Sequence, residues 1–191
     1  MSQAQLSAPA PRKPLHRRTV ECNGYRRDDG LYDIEGHLVD VKSYPVDDLD
    51  RGPIGPGEPI HEMWLRLTVD VDMTIVRAEA KTVWAPYSMC GDITPDFARL
   101  AGLTIQAGFT QKTRELLGGT QGCTHLLELL GPIATTAFQT IYPVRARRDR
   151  AAGVKRRPGL IDSCHAWASD SEMVARRYPE HYTGAPRKAA R

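Results

Sequence analysis

No stretch of this chain approaches the roughly 18 consecutive apolar residues that a membrane helix needs. The first residues, Met1 to Pro14, are rich in Ala, Pro and Gln and lack the apolar segment of a secretion signal. Both absences point to a cytoplasmic protein. Cysteine is sparse, with four residues at Cys22, Cys90, Cys123 and Cys164. In a reducing compartment these suit ligand or catalytic roles better than disulfides. There is no nucleotide-binding glycine loop, no Gly-x-Ser-x-Gly nucleophile elbow and no internal repeat. Net charge is only +3, so no strong field of one sign covers the whole chain.

What is present is enough for an ordinary globular domain. The 191 residues are 41% apolar and 26% charged, a balance that can bury a core. The organisation expected is an arm over residues 1–17, one α+β domain over 18–179 and a tail over 180–191. The positive charge concentrates in Arg145, Arg147, Arg148, Arg150, Lys155, Arg156 and Arg157, expected as a solvated basic loop over 145–158. No aromatic residue is interleaved among them, which argues against a nucleic-acid partner bound by base stacking.

The strands come first. Arg18 to Arg27 and Leu31 to Tyr44 flank Asp28-Asp29-Gly30, an Asp-Gly hairpin signal, and Gly36 is expected to mark a bulge. Cys22, within the first of these strands, reads as a small buried hydrophobe. Asp47 to Pro59 is a Pro/Gly/Asp-rich loop. Met63, Leu65, Leu67 and Val69 then alternate with Trp64, Arg66, Thr68 and Asp70, the period of a half-buried strand. A turn at Asp70-Val71-Asp72 leads to a partner strand through Val83, so the sheet is largely antiparallel.

Helices follow. Thr94-Pro95-Asp96 is a start signal and Gly102 a stop. Thr110 to Leu117 is a short helix halted by Gly118-Gly119. From Cys123 onward, Leu126, Leu127, Leu130, Ile133, Ala134, Ala137, Phe138 and Ile141 form a core stripe at helical spacing. Pro132 is expected to kink or split that helix and Pro143 to limit it. Leu160 to Trp167 is expected to add an edge strand.

The chemistry gathers at Gly118-Gly119-Thr120-Gln121-Gly122-Cys123-Thr124-His125, a glycine-punctuated turn that opens the apolar helix. The unpaired N–H groups and partial positive charge of a helix N-terminus favour a thiolate, the form that ligates or attacks. Cys123 and His125 either turn together toward one ion or serve as packing and surface residues. Cys90-Gly91-Asp92 stands between a strand and a helix, a setting for a metal thiolate, with Asp92 as an oxygen ligand or a turn former. If the hairpin turns at residues 70–72, His61 comes beside Thr82 to Ala85 and so near Cys90. His61, Cys90 and Cys123, with Asp92 or His125 as a fourth ligand, suit zinc or an iron–sulfur centre. An enzyme would use a metal-bound water, with His125 or Asp92 as general base, or Cys123 as nucleophile paired with His125. Its substrate would be a small ester, amide or thioester. Cys164-His165 is a second Cys/His pair.

The pattern from His61-x-Met63-x-Leu65-Arg66-Leu67-Thr68-Val69-Asp70 through Pro86, Cys90 and Gly122-Cys123-Thr124-His125-Leu126 to Ala137-Phe138-Gln139 and Ser163-Cys164-His165-Ala166 resembles a bacterial family of unknown function. The order of parts is also similar to the U-type iron–sulfur cluster scaffold proteins, IscU-like and SufU-like. That resemblance implies an IscU/SufU-like core in which His61, Cys90 and Cys123 take the three ligand positions. His61 stands where those scaffolds carry their first cysteine, which favours zinc over a cluster held by three thiolates.

Overall fold

A computed structural model describes residues 7–154 and 157–184. The first six residues of the expected arm, Lys155 and Arg156 of the basic stretch, and residues 185–191 of the tail lie outside the described residues. Residues 7–15 carry no regular structure and are exposed. The chain divides into two compact units, residues 1–145 and residues 146–191.

The first unit is α+β. Strand β1 (His16–Arg26) turns back on β2 (Tyr32–Lys42) through Asp28-Asp29-Gly30, where the Arg27 N–H donates to the Leu31 carbonyl at 2.9 Å. A small hairpin of β3 (Val46–Asp48) and β4 (Gly52–Ile54) fills the Pro/Gly/Asp-rich segment. Strand β5 (Pro59–Val69) pairs with β6 (Ile75–Trp84) across the Asp70–Asp72 turn, in which Asp70 Oδ1 accepts the N–H groups of Asp72 and Thr74. The four long strands form one antiparallel sheet in the order β1-β2-β5-β6. Glu62 pairs with Trp84, which puts His61 at the far end of β6 as the hairpin geometry requires.

Alternation sorts the side chains. Tyr32, Ile34, Leu38, Met63, Leu65, Leu67, Val69 and Ile75 are buried on one face, while Trp64, Arg66 and Val76 are exposed. Past β6 come two 3₁₀ segments, Ser88–Gly91 and Thr94–Leu100, so Thr94-Pro95-Asp96 opens a 3₁₀ helix in place of an α-helix. Helix α1 (Phe109–Leu117) ends at Gly118, and helix α2 runs from Thr124 to Ala151.

Helix α2 covers the buried face, with Leu126, Leu129, Leu130, Ile133, Ala137 and Ile141 inward. Gly36 does not mark a bulge. It pairs regularly with Cys22 and Leu65, and a Cβ there would stand 2.7 Å from Ile133 Cδ1, so its bare backbone lets the helix approach the sheet. The register shift in β2 falls between Asp40 and Val41 instead. Cys22 is partly buried against the core, in keeping with a packing role.

Neither proline interrupts α2. Pro132 and Pro143 are both exposed, and eleven residues are about three helical turns, so they share the outward face. There the carbonyls left without N–H partners stay within reach of water and the apolar stripe continues unbroken. The helix therefore carries Arg145, Arg147, Arg148 and Arg150, the first part of the expected basic loop.

Described by itself, the second unit comprises the end of α2, a 3₁₀ turn at His165–Trp167, helix α3 (Glu172–Arg177) and a 3₁₀ turn at Pro179–His181. The expected strand over Leu160–Trp167 does not form. Asp162 adopts a φ of 65°, donates its N–H to Trp167 O and accepts Ser169 N–H at its carboxylate, so the segment closes on itself. Ser171 caps α3 by accepting the Val174 N–H at 3.2 Å. Among the described residues, no helix is long and apolar enough to cross a membrane.

Candidate metal centre

One end of the face beneath α2 is ionic. Arg18 of β1 stands opposite Asp40 of β2, and Asp40 opposite His61 of β5, so antiparallel register lines the three up across the sheet. Each occupies an inward position of its own alternation: Asp40 follows Ile34 and Leu38, and His61 precedes Met63 and Leu65. The register shift beside Asp40 is the sort of irregularity that re-aims a strand next to a site.

The fourth side comes from the start of α2. His125 and Glu128, three residues apart, share the helix face that meets this row. Their position depends on Gly122, where a Cβ would lie 2.1 Å from the Leu117 carbonyl oxygen. A side chain there would push away the turn that presents Cys123 and His125.

Asp40 is the hub, only 1% exposed. Arg18 donates Nε to Oδ1 at 2.8 Å and Nη2 to Oδ2 at 2.7 Å, the two-pronged geometry of a strong charged pair. Its remaining terminal nitrogen reaches Glu128. His16 Nε2 lies 3.0 Å from Oδ1. On the other oxygen, His61 Nδ1 stands at 3.2 Å and His125 Nε2 at 3.9 Å from Oδ2. The His61 and His125 rings stack, with centroids 3.8 Å apart and planes at 30°. The opposite edge of the His125 ring brings Nδ1 within 4.0 Å of Cys123 Sγ, which in turn sits 3.8 Å from Met63 Sδ.

These contacts set the charges. Burial by itself would raise the Asp40 carboxyl, but the Arg18 hydrogen bonds and charge, then His61 and His16, hold it below its ordinary range. Burial pushes His61 down, and the neighbouring His125 adds to this against the opposing pull of Asp40. Burial also lowers His125, with Arg18 adding to it and Asp40 and Glu128 opposing. At neutral pH the centre therefore offers one carboxylate and two neutral imidazoles. Asp40, His61 and His125 present ligand atoms all within 4.8 Å of one another, a group that could hold a metal ion.

Of the residues the sequence singles out, the structure brings His61 and His125 together and sets Cys123 against His125. Cys90 lies half-buried in the 3₁₀ turn after β6, with its N–H on the Tyr87 carbonyl. Asp92 is exposed at the end of that turn. Among the described residues, neither belongs to a group of three His, Cys, Asp or Glu with ligand atoms this close. Cys164 and His165 are exposed in the second unit. His16, Arg18, Asp40 and Glu128 escape a reading by motif. Asp40 nonetheless leaves a trace, a charged residue in the inward set Tyr32, Ile34, Leu38, and a charge at a core position is the informative kind of exception.

Fold and site together define an α+β domain with a two-histidine, one-carboxylate group able to hold a metal ion, built at one end of the face of an antiparallel sheet. The chain belongs to the family described as "Protein of unknown function (DUF2889)", which matches residues 16–139. The matched segment begins at His16 and contains Arg18, Asp40, His61, Cys123, His125 and Glu128. No curated protein and no solved structure matches the chain.

Proposed function

We propose that this is a zinc-binding protein of the cytoplasm, with the ion held by Asp40, His61 and His125. The observation that carries the reading is the convergence of two histidine nitrogens on one oxygen of a buried carboxylate. Two ligands of a tetrahedral zinc ion, with bonds of about 2.0–2.1 Å, stand about 3.3 Å apart. His61 Nδ1 and Asp40 Oδ2, at 3.2 Å, already have that spacing. His125 Nε2, at 3.9 Å, closes by about half an ångström to reach it. Arg18 Nε and His16 hold the other oxygen, and Arg18 Nη2 donates to Oδ2 itself at 2.7 Å, the outer hydrogen bonding that orients metal-binding carboxylates. The donor set is nitrogen and oxygen with one thiol alongside. An iron–sulfur cluster takes several thiolates, so zinc fits better on an IscU/SufU-like arrangement of strands and late helix.

Metal content of protein purified without a histidine tag tests this. The expected result is about one zinc per chain, falling to a small fraction in Asp40→Asn and His61→Ala. Less than about half an equivalent, indifferent to both changes, overturns it.

The 4.0 Å approach of Cys123 Sγ to His125 Nδ1 favours a second reading, a hydrolase acting on a small ester, amide or thioester. In one version Cys123 attacks with His125 as base, and in the other a water bound to the metal attacks. Inactivation by a thiol alkylating agent and not by a chelator selects the first, and the reverse pattern the second.

A further inference from the structure

His125 faces two ways, and its second edge meets sulfur. Cys123 Sγ lies 4.0 Å from His125 Nδ1 and 3.8 Å from Met63 Sδ, on the side of the ring away from Asp40. We propose that Met63, Cys123 and His125 Nδ1 form a second metal site, selective for copper(I). A thiolate, a thioether and an imidazole are the soft and borderline donors that choose monovalent copper over zinc. Two sulfur ligands arranged trigonally about one ion, at metal–sulfur distances of about 2.2–2.3 Å, stand about 3.8–4.0 Å apart, and a nitrogen ligand at about 2.0 Å stands about 3.7 Å from each of them. At 3.8 Å Cys123 Sγ and Met63 Sδ have the first spacing, and at 4.0 Å Cys123 Sγ and His125 Nδ1 close by about 0.3 Å to reach the second; both contacts are hydrogen-bond distances of the Cys123 thiol, whose proton leaves when an ion binds.

The three donors differ in burial. Met63 is fully buried on the floor of the sheet, while Cys123 and His125 are half-buried. Cys123 and His125 are therefore the outer donors and Met63 the inner one. The site does not rest on the zinc reading, because it uses different donors and the other nitrogen of His125. The two share one ring.

The test is a copper(I) titration of metal-free protein under reducing conditions, in competition with a chromogenic copper(I) chelator, beside a zinc titration of the same samples. Met63→Leu conserves volume and removes only the thioether, so the core stays filled. Expected is one copper(I) per chain, held at least about tenfold more weakly in Met63→Leu and Cys123→Ser, with zinc uptake unchanged in Met63→Leu. Asp40→Asn should show the opposite pattern, losing zinc and keeping copper(I). X-ray absorption of the copper-loaded chain should show sulfur neighbours that diminish in Met63→Leu. Copper(I) bound equally well by Met63→Leu and Cys123→Ser belongs to other cysteines and overturns the proposal, as does failure to compete with the chelator. Loss of zinc binding alone overturns only the zinc reading.

Discussion

Two rows of one sheet face lie under the same helix and hold opposite contents. In the row Gly36–Leu65–Ala80, an apolar floor meets Leu129 and Ile133 of α2. Two residues further along each strand pair lies Leu38–Met63, and beyond it Arg18–Asp40–His61, met by His125 and Glu128. Strand alternation turns every one of these residues inward by the same rule. The comparison teaches that inward position and apolar character are separate properties, and that their divergence at one end marks the site. An inward charge costs several kcal/mol unless it is paired, and here Arg18 and three imidazoles surround the carboxylate.

The sharpest way to break this contrast is at the apolar end. Leu129→Ala opens a cavity under a fully buried side chain and should lower stability by about 2–5 kcal/mol in urea unfolding. Metal uptake per folded chain should stay unchanged. If it falls in step, the two ends are one structural unit and the division fails.

At the ionic end, Asp40→Ala strands Arg18 and the imidazoles. Breaking a buried pair costs about 3–5 kcal/mol. Arg18 is 35% exposed and water relieves part of this, so the expectation is about 2–3 kcal/mol, with zinc binding lost. Unaltered zinc content in this variant would place the ion elsewhere.

Acid should separate the rows next. His61 and His125 are held below the ordinary histidine value of 6.5 when folded, so the unfolded chain takes up protons first. Their contribution is complete above 6.5 and is lost as pH falls through the depressed folded values. Asp40 acts with the same sign lower down, contributing above 3.8 and losing its share as pH falls below that. Metal-free protein should thus unfold at lower urea at about pH 5.5 than at about pH 7.5, and His61→Gln with His125→Gln should flatten that slope. Leu129→Ala should keep it. A slope that the double variant leaves intact would assign the acid sensitivity to other groups.

The smallest effect belongs to Glu128→Gln. Glu128 is 52% exposed and only steadies Arg18, so the loss should be under about 1 kcal/mol, with zinc affinity barely changed. A large fall in zinc affinity would make Glu128 a ligand and redraw the centre.

Local signals made much of the fold legible. The Met63–Val69 alternation, the Asp-Gly hairpin and the Gly118–Gly122 break before the late helix all act within a few residues, and each gives the expected element. The prolines misled because a proline's effect depends on which side of the helix faces water, and that side is settled by packing against the sheet. The Leu160–Trp167 segment misled because the Asp162 turn bonds outcompete a strand. Of the site, His61 and the Cys123/His125 pair stand out as metal-type residues in the chain itself. Asp40 and Arg18 do not, since an acid and a base in separate strands look like ordinary surface charges until the strands are paired.

The chain by itself determined which residues face inward along β5 and where the glycine turn delivers a cysteine and a histidine, because period and turn chemistry are local. Only the tertiary structure decided that β2 runs between β1 and β5, putting Asp40 between Arg18 and His61 and under His125. Strand order is chosen by burying one continuous apolar face beneath α2, a balance over the whole domain that no short stretch of sequence contains.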